Sequence, residues 1–166
     1  MAAGRGLAVE ADPQGRAGEH VDPVEYVDPV EYLRGDWLVE RFIVDLRTGG
    51  RGQFRGVVRC APGAGGRLVF DEEGELVWRA HRGPARRALE LRRASRGRAE
   101  VLFDDGRPFH ALELRRDGFL AHHECGDDRY DGRFLLHGPS RWSVAWQAVG
   151  PSKCLWLDAC YERVLT

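Results

Sequence analysis

Leu33-Arg34-Gly35-Asp36-Trp37 and Tyr161-Glu162-Arg163 bracket the part of this chain in which apolar and polar residues alternate. Gly35 interrupts the backbone just before Trp37, and a two-periodic run begins there, over 36–46. The run 153–164 ends the pattern, with Leu155, Leu157, Ala159, Tyr161 and Arg163 on one face. Between them the alternation predicts strands over 52–60, 67–71, 74–80, 87–94, 98–104, 108–115, 118–125, 129–137 and 141–149, with 67–71 and 74–80 alternatively one bent strand. Turn signals separate the runs: Thr48-Gly49-Gly50, the Gly-rich stretch 61–66, Asp104-Asp105-Gly106-Arg107, Asp117-Gly118, His137-Gly138-Pro139-Ser140 and Gly150-Pro151-Ser152. Short strands at this spacing mean a sandwich or a barrel, and consecutive hairpins favour up-and-down order. The expected fold is all-β: a closed antiparallel up-and-down β-barrel of about ten strands with a short N-terminal helix.

Outward from this core, residues 1–20 are rich in Gly, Ala and charge and poor in large apolar groups, which predicts a disordered tail. A tandem repeat follows, Val21-Asp22-Pro23-Val24-Glu25-Tyr26 and Val27-Asp28-Pro29-Val30-Glu31-Tyr32. Asp-Pro suits a helix start, with Asp as the cap and Pro at the first helical position. Residues 21–35 are therefore read as an arm with a short helix ending near Gly35, and 36–166 as the barrel domain. The first copy is either a duplication without a role or a partner-binding arm. The chain has 166 residues, enough for one domain, and a net charge of −1, which gives no general attraction to nucleic acid or an anionic membrane. Lys153 is the only lysine among many arginines, a bias typical of a GC-rich bacterial genome. No apolar run is long enough to span a bilayer and no signal-peptide core is evident, so a cytoplasmic location is expected. Cys60, Cys125, Cys154 and Cys160 show no zinc-ligand spacing.

Alternation also sorts the polar residues. In 108–115, His110, Leu112 and Leu114 share one face, and Phe109, Ala111, Glu113 and Arg115 the other, whose charges mark it as solvent-facing. In 118–125, His123 lies with Phe119 and Ala121, and His122 is the alternative inward residue. Tyr130 and Phe134 share a face in 129–137, as do Trp142 and Trp146 in 141–149. Together with Tyr161, these residues outline an aromatic cavity with a few convergent polar groups, the usual construction of a small-molecule site. Within it, His110 and Tyr130 are the candidate catalytic pair, for proton exchange and hydrogen bonding. Arg107, His122, His123, Phe134, Trp142, Trp146, Lys153 and Tyr161 are candidate substrate contacts. Arg107 is either paired with Asp104 or Asp105 or a clamp for a carboxylate or enolate; Lys153 is either a rim cation or a ligand anchor. His122 and His123 point to opposite faces and cannot chelate one metal together.

Gly35-x-Trp37 with Arg163 on the final strand resembles the signature of the calycins: lipocalins, fatty-acid-binding proteins and nitrobindins. The resemblance implies that Trp37 and Arg163 form a structural clasp, an Arg-on-Trp stack where the sheet closes. The run from Val101 to His110, with Trp142-x-Val144-x-Trp146, Gly150-Pro151-x-Lys153 and Tyr161-x-Arg163, resembles a bacterial family of uncharacterised calycin-like proteins, a domain of unknown function. That resemblance covers roughly 33–164 and implies a fold without a reaction. Cys154 departs from it, at a position where an acidic residue commonly follows the lysine.

No phosphate loop, dinucleotide fingerprint or serine-hydrolase elbow is present. The reading is a small-molecule-binding barrel without cofactor or metal, acting on a hydrophobic or aromatic molecule. The favoured activity is that of a cofactor-independent enzyme of specialised metabolism, carrying out cyclisation, isomerisation or dehydration of a polyketide- or terpenoid-like substrate. The alternatives are a non-catalytic carrier or sensor and, after these, a haem or flavin binder. Nucleic acid and membrane are not expected partners; a second copy of the chain is a candidate one.

Overall fold

A computed structural model describes residues 25–165. The tail 1–20 and the start of the first repeat copy lie outside the described residues. Within them, eleven strands form one antiparallel sheet. In chain order these are β1 (Tyr26–Val27), β2 (Gly35–Asp45), β3 (Arg51–Pro62), β4 (Leu68–Trp78), β5 (His81–Ser95), β6 (Arg98–Phe103), β7 (Pro108–Arg115), β8 (Phe119–Cys125), β9 (Asp128–Leu136), β10 (Arg141–Val149) and β11 (Cys154–Arg163). Their order in the sheet is β1-β7-β6-β5-β4-β3-β2-β11-β10-β9-β8. No helix among the described residues is long and apolar enough to cross a membrane.

Each long strand pairs with its chain neighbour, as hairpin signals require, and β2 pairs with β11 from Leu155↔Asp45 to Arg163↔Trp37. The sheet curls until β7 and β8, near its two ends, run side by side. The expected closed ladder of ten strands needs correction here. Among the described residues no backbone ladder joins β7 to β8, and β1 instead pairs with β7 through Tyr26↔Arg115 and Val27↔Leu114. The seam is bridged by rings: Phe109 packs on His123 at 4.9 Å and on Phe103 at 4.7 Å between centroids.

The runs 67–71 and 74–80 are one strand, β4, and its turn into β5 falls at Arg79-Ala80. Arg79 adopts φ 56° there, a conformation usually left to glycine. Its guanidinium is held by Thr48 Oγ1 at 2.7 Å.

The helix α1 (Pro29–Leu33) starts as Asp28-Pro29 requires, with Asp28 Oδ1 accepting from the amides of Val30 and Glu31. It covers one end of the curled sheet. Arg163 secures it, donating to Tyr32 O at 2.5 Å, Arg34 O at 2.7 Å and Pro139 O at 3.2 Å, with its guanidinium 4.1 Å from the Trp37 ring centre. Trp37 is wholly buried and donates from Nε1 to Leu33 O. Gly35 has φ 107°, and a Cβ there would lie 3.1 Å from Arg163 Nη1, so this Gly admits both the backbone and the arginine.

The concave face holds the core: Val39, Phe54, Val58, Phe70, Leu89, Leu91, Val101, Leu112, Val144 and Ala159 are buried there. The convex face carries cross-strand ion pairs such as Arg55–Glu40, Arg59–Glu73 and Arg86–Asp71.

Candidate functional site

The concave side of the sheet encloses a cavity of about 100 Å³. Its apolar wall includes Leu33 from α1, Phe70, Leu89, Leu91, Val101, Leu112 and Leu157. The aromatic part comes from Phe109, Phe134, Trp142, Trp146 and Tyr161, and the polar part from Arg41, Arg87 and His110. The rings form a continuous series. Trp142 stacks on Tyr161 at 3.8 Å, Phe134 lies parallel to Trp142 at 6.2 Å, and Trp146 stacks on Phe109 at 5.6 Å. Trp146 lies against Gly132 of β9, where any Cβ would come within 2.7 Å of its ring.

His110 projects into this space. Its Nδ1 lies 2.7 Å from Ala111 O, and because a carbonyl only accepts, Nδ1 carries the proton and Nε2 presents a lone pair. Burial, aided by His123 and the charge of Arg87, lowers its pKa to about 4, so the ring is neutral at pH 7.

Beneath the cavity lies a charged cluster. Glu72, 2% exposed, accepts from Arg41 through two nitrogens at 3.0 and 2.7 Å, and from Arg87 Nη2 at 3.2 Å. Arg41 Nη2 also donates to the Tyr161 hydroxyl at 3.0 Å. Burial pushes the Glu72 carboxyl up, but Arg87 and Arg41 outweigh it and hold the group below its ordinary value.

His110, Phe134, Trp142, Trp146 and Tyr161 thus meet around one cavity, as alternation expects. Tyr130 is not among its lining residues. The Tyr130 hydroxyl accepts from Lys153 Nζ at 2.9 Å, and Lys153 also pairs with Asp128 at 2.5 Å, which raises the lysine's pKa. Arg107 is exposed and bound to Asp105 at 2.7 Å. His123 packs in the β7–β8 seam against Phe109 and Tyr130. His122 faces outward, where Asp131 at 2.7 Å raises its pKa.

Four lining or supporting residues escape the sequence reading. Phe109 belongs inside because the β6–β7 register shifts between Val101↔His110 and Leu102↔Pro108. One residue is extra on β7, and Phe109 and His110 both reach the lumen. Glu72 sits in Asp71-Glu72-Glu73-Gly74, at the junction of the runs 67–71 and 74–80. Arg41 and Arg87 are hidden among the many surface arginines, although Arg41 keeps the two-residue spacing of Trp37 and Val39.

A family model described as a family of unknown function (DUF6314) matches residues 33–163, and the chain belongs to that family. No curated protein matches this chain in sequence. Among solved structures, the S-type phycobiliprotein lyase CPES from Guillardia theta is similar, with TM-score 0.63 and 10% identity, covering 82% of this chain and 91% of the lyase. A protein of unknown function from the DUF3598 family of Nostoc punctiforme is similar with TM-score 0.56 and 11% identity, over 85% of this chain and 51% of that one. At these identities the likeness is one of fold.

Proposed function

We propose that this member of the DUF6314 family is a small-molecule-binding barrel whose lumen receives a compact, largely apolar molecule. The observation that carries this reading is the cavity of about 100 Å³, walled by aromatic and aliphatic side chains around a few inward polar groups. Its volume is of the order of the ~150 Å³ apolar cavity that takes up benzene. The occupant is therefore about one ring in size, smaller than a folded polyketide or terpenoid. Likeness of fold to a phycobiliprotein lyase is compatible with such a pocket and, as a fold-level analogy, assigns no reaction.

Binding is the primary function in this reading, with the carrier or sensor as its simplest form. Cofactor-independent isomerisation or dehydration is the second reading, favoured by one observation: the free Nε2 lone pair of His110. A base of pKa about 4 is poorly matched to strong proton abstraction at neutral pH. His110 would serve there as a neutral hydrogen-bond partner or accept a proton from an already acidic carbon.

Native mass spectrometry of freshly purified protein tests the reading. The expected result is a bound molecule of about one-ring mass that is absent from Val144→Phe, which fills the lumen. The same adduct persisting in a folded Val144→Phe would contradict it. Conversion of the released compound by wild type but not by His110→Gln, with binding retained, would select the catalytic form.

A further inference from the structure

The lumen carries more positive charge than it neutralises. Arg41 and Arg87 share a single carboxylate, that of Glu72, through contacts of 2.7 and 3.2 Å. Tyr161 supplies a neutral hydroxyl to Arg41. Two guanidinium groups against one carboxylate leave one net positive charge at the cavity wall, where Arg41 is largely buried and the Arg87 side chain is 40% exposed. A guanidinium that shares its only carboxylate keeps donors to spare for a second planar anion.

A separate observation concerns unfilled donors. Trp142 Nε1 and Arg87 Nε are buried and have no hydrogen-bond partner among the described residues. Both residues line the cavity. Trp142 is only 4% exposed, and its face-to-face stack on Tyr161 fixes its ring, so its N–H is not free to turn towards another acceptor. Buried donors are almost always satisfied in folded proteins, and those left over mark the place of an acceptor. The excess charge, the two open N–H groups and the apolar remainder of the wall ask for one complementary partner.

The geometry points to a ligand that is a compact monoanion, a one-ring or short-chain carboxylate. Its charged end lies towards Arg87, Arg41 and Trp142, and its apolar body against Val101, Leu112 and Phe134. This assignment rests on the lumen being a binding site and adds the charge of what occupies it. Glu72 then has a second role: it competes with the ligand for both arginines and moderates affinity.

The test is binding of benzoate to the full chain at pH 7, beside its uncharged counterparts toluene and benzyl alcohol. Calorimetry gives the affinities, and the indole N–H signal of Trp142 reports contact. Benzoate is expected to bind about tenfold or more tightly than benzyl alcohol, the usual worth of a charge-assisted hydrogen bond. The Trp142 signal is expected to move downfield saturably. Glu72→Gln should tighten benzoate, and Arg87→Met should reduce it to the level of toluene. Toluene or benzyl alcohol binding as tightly as benzoate, with the Trp142 signal unmoved, overturns the anion assignment and leaves the lumen reading standing. No binding of any of the three overturns both. If Arg87→Met does not fold, the wild-type comparison and Glu72→Gln still decide.

Discussion

At the scale of single residues, Glu72 and His110 set how the lumen responds to substitution and to acid. Glu72 is ionised between two arginines, so Glu72→Leu leaves the largely buried Arg41 without its carboxylate, while Arg87, 40% exposed, can turn to water. The expected cost is about 3–5 kcal/mol, measured as a shift of the urea midpoint, and larger than that of the isosteric Glu72→Gln. His110 titrates at about 4 when folded and near 6.5 in a free chain. Between those values the unfolded chain binds a proton that the folded chain does not. Its contribution is therefore fully present above pH 6.5 and is lost as the pH falls towards 4, by up to about 3 kcal/mol. The depressed Glu72 carboxyl acts in the same direction, adding stability that disappears on acidification. His110→Gln should flatten the fall in unfolding free energy between pH 6.5 and pH 4.5 relative to wild type; equal slopes would place His110 in water. The sequence points to His110 because one histidine among leucines on a two-periodic face has few ways to turn outward. Glu72 is opaque by the same logic. Three acids followed by glycine look like solvent, and only the long-range pairing of β4 with β5, which sets Glu72 opposite Arg87, shows otherwise.

At the scale of elements, α1 is held by Arg163 rather than by its own length. Five residues make too short a helix to persist alone, and three carbonyls of the chain around it converge on one guanidinium. Arg163→Met should destabilise the fold by about 2–4 kcal/mol in urea. Arg163→Lys should recover little of that loss, because an ammonium lacks the planar fork. Full recovery by lysine would reduce the clasp to simple charge. The β7–β8 seam has its own signature. Amides of β8 that point away from β9 meet no ladder, so they should exchange with solvent much faster than those of β11, which is paired on both sides. Uniform protection across β8 and β11 would mean a closed ladder. Most of the strands are readable from alternation and glycine-rich turns. The bulge that turns Phe109 inward and the turn at Arg79-Ala80 are not, because neither carries a local residue signal. Both are fixed by partners distant in sequence, β6 for the first and the Thr48 loop for the second.

At the scale of the whole molecule, the chain is a curled sheet whose two long terminal strands, β2 and β11, are zipped together. One end is covered by α1, and the concave face is left partly unfilled. A small protein normally packs its interior to the density of an organic crystal, so a lumen of about 100 Å³ ringed by six aromatic side chains is a feature that packing alone would remove. The account stands on that lumen being where a ligand sits. The most direct measurement is a crystal structure of the protein exposed to bromobenzene, an uncharged ring of the right size, with the halogen located by its anomalous scattering. The account predicts a bromine peak inside the sheet, in contact with Phe109, Phe134 or Trp146. A peak only on the convex face, beside exposed groups such as Trp156 or Leu120, would contradict it.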